Sequence, residues 1–262
     1  MLQRDLIPFF AMTFVITWGI LGLYIFASET MVNLFGNLTG QHPLFYMAVY
    51  APAISALVLI LYRHGIQGMR RFLSRLLLWR TSMYWYVMLV LIVPLVFYVS
   101  ALFKPGALDT LFPFASLTAY LSALFFMAIK GPVEEIGWRG LALPMLQRRM
   151  APIWGALVLG VVWAVWHLPA FMLSSTPQSA WALTPFLMGT LALSVIVTPL
   201  FNHSRGSLLL PAIFHLQLIN PLWPDAQPYD TWLFVVVAVI VVWLNRETMF
   251  SRHSAVTEVI SK

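Results

Sequence analysis

Glu134, Glu135 and Arg139 stand in a stretch whose other residues read as membrane-buried. A charge in a spanning segment costs at least ~2.5 kcal/mol on insertion scales, so three together need partners, water and usually a task. Of the nine Asp and Glu residues, Asp5, Glu29, Asp109, Asp225, Asp230, Glu247 and Glu258 fall at the ends or in polar connections; the two exceptions are neighbours. The histidines repeat the pattern, with His42, His64, His203 and His253 in connections or tails and only His167 and His215 inside apolar runs. Either one alone is as well read as a core histidine bonded to a backbone carbonyl. Their coincidence with the only buried acids makes them candidates for chemistry.

The chemistry open to these residues is narrow. The chain has no Cys and no evident buried Ser–His–Asp arrangement, so the nucleophile left is water, activated by a carboxylate held near an imidazole. Water attack on an amide fits that kit. A second histidine and an amide side chain would stabilise the tetrahedral oxyanion, a role worth about 3 kcal/mol per donor in other hydrolases. Alternatively, Glu134, His167 and His215 could bind Zn2+ and acidify its water, although the HExxH helix that usually carries such a site is missing. Spacing leaves both open. Within the cluster, Glu135 and Arg139 are four apart and share a helix face, while Glu134 points about 100° away. The pair reads as structural support and Glu134 as the group free to work.

The elements that position these residues follow from composition. With 61% hydrophobic and 9% charged residues and a mean hydropathy of +0.85, the 262 residues have too little polar surface to cover a soluble globule. The expected fold class is all-α, a polytopic membrane protein forming a single integral membrane domain over 1–262. Apolar runs at about 6–26, 44–62, 82–103, 115–147 (interrupted), 153–173, 182–201, 207–223 and 229–245 give about eight transmembrane helices. Residues 65–80 mix apolar and basic side chains and suggest a helix lying on the membrane surface. With a cytoplasmic N-terminus, eight spans put Arg4, Arg63, Arg70, Arg71, Arg75, Arg80, Arg148, Arg149, Arg205, Arg246, Arg252 and Lys262 inside and only Lys104 outside. This predicts a multi-pass protein of the plasma (inner) membrane with both termini cytoplasmic. The net charge of +6 then reflects topology and attraction to anionic lipid heads; it calls for no nucleic acid.

The tight connection Arg148-Arg149-Met150-Ala151-Pro152 makes the fourth and fifth runs an antiparallel hairpin. Glu134 and His167 each lie about 16 to 17 residues from it, roughly 25 Å along a helix. They are expected at the same depth. Gly131-Pro132 before the acids fits a helix start or kink that frees backbone groups and admits water.

Three motifs in order resemble those of the CPBP intramembrane proteases, which include CAAX prenyl endopeptidases and bacteriocin-processing enzymes and are also called the Abi family. Glu134-Glu135-Ile136-Gly137-Trp138-Arg139-Gly140 looks like its EExxxR, Trp163 to His167 its FxxxH with Trp for Phe, and His215 its HxxxN histidine. The resemblance covers about 117–221, which would be the catalytic core. It implies a membrane-embedded endopeptidase acting on a peptide or protein substrate in the lipid bilayer. Glu134 would be general base, His167 would orient water and His215 would polarise the scissile carbonyl, without a cofactor or, in the alternative, with Zn2+. The residue four after His215 is Ile219, and the nearest amide is Asn220, one place late. Asn220 is the expected oxyanion donor; Gln217, about 200° around the helix from His215, should face away. Two rivals keep the same helices: a non-catalytic interaction or bacteriocin-immunity protein, and a transporter using the charges as a relay.

Overall fold

The computed structural model describes residues 5–260, so the expectations for Arg4 and Lys262 lie outside the described residues. In chain order the helices are α1 (Leu6–Phe26), α2 (Ser28–Phe35), α3 (Pro43–Val49), α4 (Ala51–Leu73), α5 (Met83–Ala101), α6 (Leu117–Ala128), α7 (134–147), α8 (Pro152–Trp166), α9 (Leu183–His203), α10 (Leu209–Leu218), α11 (Tyr229–Leu244) and the short α12 (Arg246–Met249). This is the all-α membrane fold that the composition requires. In a bilayer core every backbone polar group must be satisfied within its own segment, and a helix does so.

Four described helices are long and apolar enough to cross a bilayer: Leu6–Phe26, Met83–Ala101, Pro152–Met172 and Leu183–His203. A fifth crossing comes from α3 and α4 taken together, bent by 63° at their junction. Of the remaining runs, the fourth is interrupted as expected, the eighth is α11, and the seventh differs. The fourth is broken at Lys130-Gly131-Pro132 into α6 and α7. The seventh shortens to the ten residues of α10, about 15 Å of helix against a ~30 Å hydrocarbon core, because Pro221, Pro224 and Pro228 cannot continue it.

Helix α9 is the hub, packed on α8 on one side and on α11 on the other. Small residues permit the approach: Ser194 Oγ donates to the carbonyl of Ala156 at 2.8 Å, and a Cβ on Gly160 would stand 3.1 Å from Leu191 Cα. Such contacts bind helices in lipid, where burial of apolar surface gives no advantage. On the other flank α4 presses on α7, and α1 packs on α4.

The 65–80 stretch is helical from beyond Gly65 to Leu77, with Phe72 and Arg75 packed on protein. Gly65 takes φ +62° and breaks α4, and the chain beyond it folds back onto the bundle. Arg75 is buried. Its guanidinium donates to the carbonyls of Gly206, Gly140 and Val259 at 2.7–2.8 Å and lies over the rings of Phe72 and Phe201. It ties the C-terminal tail to α7 and to the turn after α9. Gln147 and Arg148 extend the seam by donating to the carbonyls of Val256 and Thr257 at 2.8 Å. Trp85 is also buried, in one core cluster with Leu89 and Leu200.

Candidate active site

The α7 helix begins in a 3-10 turn, Gly131–Val133, and contains a π turn, Trp138–Ala142. Proline at the second residue of the entry cannot donate, and glycine before it can come close to a neighbour. Tyr50 Oη donates to the Ile129 carbonyl just upstream, which fixes the break. The π turn inserts one residue into the helical ladder, a feature common at functional sites.

From this entry Glu134 and Glu135 diverge as their neighbouring positions require. Glu135 turns inward, where Oε1 accepts from Arg139 at 3.0 Å and from His215 Nδ1–H at 2.8 Å. Glu134 Oε2 accepts from the Trp163 indole N–H at 3.0 Å. The expected Glu135–Arg139 pair is present, with an addition that sequence spacing could not supply: His215, eighty residues away, shares the same carboxylate oxygen. Glu134, for its part, is not free of partners.

His167 closes α8, and its Nδ1–H donates to the Trp163 carbonyl at 2.8 Å, one turn back. That bond leaves Nε2 available on the other side of the ring. His215 is held likewise through Nδ1, and its Nε2 lies over Gly131, where a Cβ would stand 2.7 Å away. Any side chain at 131 would displace the imidazole.

Glu134, His167, His215 and Asn220 all line one chamber of about 460 Å3, whose walls are mostly apolar and aromatic; Glu135 and Arg139 stand behind it. The hairpin geometry thus brings Glu134 and His167 to one space. Their link is Trp163, which bonds Glu134, receives His167, covers the Arg139 guanidinium at 4.7 Å and meets the His215 ring edge-on at 5.6 Å. Sequence reasoning saw Trp163 only as a substitute for Phe. The signal available was its N–H, which needs an acceptor when buried.

Asn220 follows the end of α10, as Pro221 dictates. Its Nδ2 donates to Gln217 Oε1 at 3.3 Å and its Oδ1 accepts from Leu222 N at 3.0 Å. Gln217 itself points away from the chamber wall and donates to the Leu89 carbonyl at 2.9 Å.

Among the described residues no group of three His, Asp or Glu side chains converges to hold a metal ion. Both imidazoles are oriented through Nδ1, by Trp163 and Glu135, and keep Nε2 free, an orientation that serves a water-holding histidine and a metal ligand alike.

Comparison with known proteins converges on the same residues. Residues 116–218 match the family model described as type II CAAX prenyl endopeptidase Rce1-like. The match includes Glu134, Glu135, Arg139, Trp163, His167 and His215 and stops before Asn220. A protein of Methanococcus maripaludis named CAAX prenyl protease 2 is 26% identical over 151 residues, 53% of this chain and 55% of that protein. The chain therefore spans about half the length of the relative it matches. The ordered motifs, the family match and this relative agree, and through the segment 116–218 the chain is similar to the type II CAAX prenyl endopeptidases.

Proposed function

We propose that the protein is an intramembrane endopeptidase in which Glu134 activates water without a metal, acting on a peptide or protein substrate within the membrane. The observation that carries this reading is the convergence of Glu134, His167 and His215 on one largely apolar chamber, with their orienting groups behind them. Glu134 takes a proton from a water held between it and His167 Nε2 as the oxygen attacks the scissile carbonyl. A proton on His215 Nε2 meets the developing oxyanion, with the Glu135 carboxylate as counter-ion to the ring. Glu134 then returns its proton to the leaving amine, and the C–N bond breaks. Arg139 holds Glu135 in place and does not touch the substrate.

The membrane supplies the second part of the reading. The Lys and Arg distribution favours a plasma-membrane protein with both termini on the cytoplasmic side. The Methanococcus maripaludis relative is named for a prenylated CAAX substrate, a class that this chain would share only if its chamber opened to the cytoplasm. Cleavage of a peptide library by the purified protein tests the activity, with Glu134→Gln and His167→Ala as controls. Both variants should insert normally and cleave nothing, since each removes a group needed to deprotonate or hold the water. Full activity in either one overturns the assignment, and a wild type that cleaves no peptide returns the fold to a non-catalytic role.

A further inference from the structure

The chamber is strongly one-sided. In α1, α5 and α10 it is lined from the second half of the helix, by Thr17 and Leu21, by Phe97, and by His215 and Leu218. In α9 and α11 it is lined from the first half, by residues in 186–193 and 230–234. Because these helices alternate in direction, all of those halves lie at one end of the bundle. The mouth is completed there by the connections 173–182 and 219–228.

No lining residue comes from the opposite end, that is from 65–80, 148–151, 204–208 or 245–260. That end is closed. Asp5 receives Arg63 at 2.8 Å beside it, Arg75 binds the tail, and Ser207 Oγ donates to the Leu78 carbonyl.

The two ends also differ in charge. The closed end carries Arg63, Arg70, Arg71, Arg75, Arg80, Arg148, Arg149, Arg205, Arg246 and Arg252. The open end carries Lys104, paired with Asp225 at 3.1 Å, and Lys130, which lines the chamber over the Phe45 and Tyr46 rings; Glu29 and Asp109 are also there. An excess of Lys and Arg in short loops marks the cytoplasmic side of a membrane protein.

We propose that the chamber opens on the extracytoplasmic face of the membrane. Its substrate is a polypeptide presented there, an exported or membrane-anchored chain with apolar side chains around the scissile bond, and not the C-terminal peptide of a cytosolic protein. The word substrate rests on the peptidase reading above; the orientation does not. The apolar preference follows from the walls, where Phe45, Phe97, Trp181 and Trp223 face the cavity.

The chain has no Cys, so single cysteines report orientation in an otherwise unmodified protein. Ser175 is exposed at the chamber mouth and Ser254 is exposed in the tail at the closed end. In intact cells a membrane-impermeant maleimide should label Ser175→Cys as fully as it does after permeabilisation. It should reach Ser254→Cys only after permeabilisation. Any other pattern, above all Ser175→Cys protected until the membrane is opened, overturns the proposal. Labelling reads orientation whether or not the protein cleaves anything. A protein that labels as expected yet cleaves no peptide overturns the peptidase reading and leaves the outward orientation standing.

Discussion

Helices α6 and α7 come from one interrupted apolar run, yet they have opposite fates. No residue of α6 is buried, whereas every residue from Gly137 to Gln147 is. Hydropathy alone does not separate a helix that faces lipid from one that faces protein, because lipid tails are as apolar as leucine. Small residues and polar groups do separate them. In α6, Leu-Thr-Ala-Tyr-Leu-Ser-Ala-Leu-Phe-Phe-Met-Ala has no glycine and no charge. The α7 segment and its entry hold Gly131, Gly137 and Gly140 with Glu134, Glu135 and Arg139. The glycines let α7 sink against α4 and α10, and the charges then find one another away from lipid.

The most damaging way to break this contrast is at Gly137. A Cβ there would stand 2.4 Å from the Pro52 carbonyl oxygen, a backbone atom that cannot swing aside. Gly137→Val should abolish monodisperse protein in detergent, while Ala123→Val on α6 should express like wild type. A well-behaved Gly137→Val protein would mean that α4 and α7 do not press together as they do here.

Next in size is the shared carboxylate. Glu135→Gln leaves Arg139 and His215 buried with a neutral partner, and breaking a buried ion pair costs about 3–5 kcal/mol. For a domain of this size that corresponds to a fall in melting temperature on the order of 10 °C. A thermal shift assay in detergent reads it, and an unchanged midpoint would show the Glu135 network to be dispensable.

Trp163→Phe sharpens the contrast at the site itself. It keeps a ring over Arg139 but removes the N–H that holds Glu134 Oε2, while the backbone carbonyl still receives His167. One lost charge-assisted hydrogen bond is worth about 1.5–3 kcal/mol, so turnover should fall by about tenfold to a hundredfold, with a smaller fall in melting temperature than for Glu135→Gln. Wild-type turnover would reduce Trp163 to a packing residue.

How much of this was legible in the sequence varies by physical cause. The Glu135–Arg139 pair was legible because helical spacing is local, and the sharing of one chamber by Glu134 and His167 followed from a short turn. The His215–Glu135 bond was not, since nothing local connects residues eighty apart. Arg75 misled because an arginine among apolar residues reads equally as a surface anchor or as a buried bolt. The carbonyls of Gly140, Gly206 and Val259 that decide between the two are contributed by distant chain. The length of α10 was misjudged because apolar residues continue past Leu218, while prolines farther on withhold the backbone donors that a longer helix needs.

The smallest expected effect is on α6. Leu121 is 52% exposed and Leu141 is fully buried, so the same truncation at each position measures the contrast directly. Leu141→Ala empties a space among Phe9, Trp138 and Phe72 that the surrounding helices cannot refill, at a cost of about 2–5 kcal/mol. Leu121→Ala removes methyl groups that lipid or detergent tails replace, so its stability should stay within about 0.5 kcal/mol of wild type. Equal losses at the two positions would mean that α6 packs on protein in the membrane, through a second copy or a partner helix. The difference between α6 and α7 would then be one of partner and not of burial. A silent Leu121→Ala beside a damaging Leu141→Ala leaves α6 facing lipid, held to the bundle chiefly by the break at 129–133 and the Tyr50 bond to Ile129.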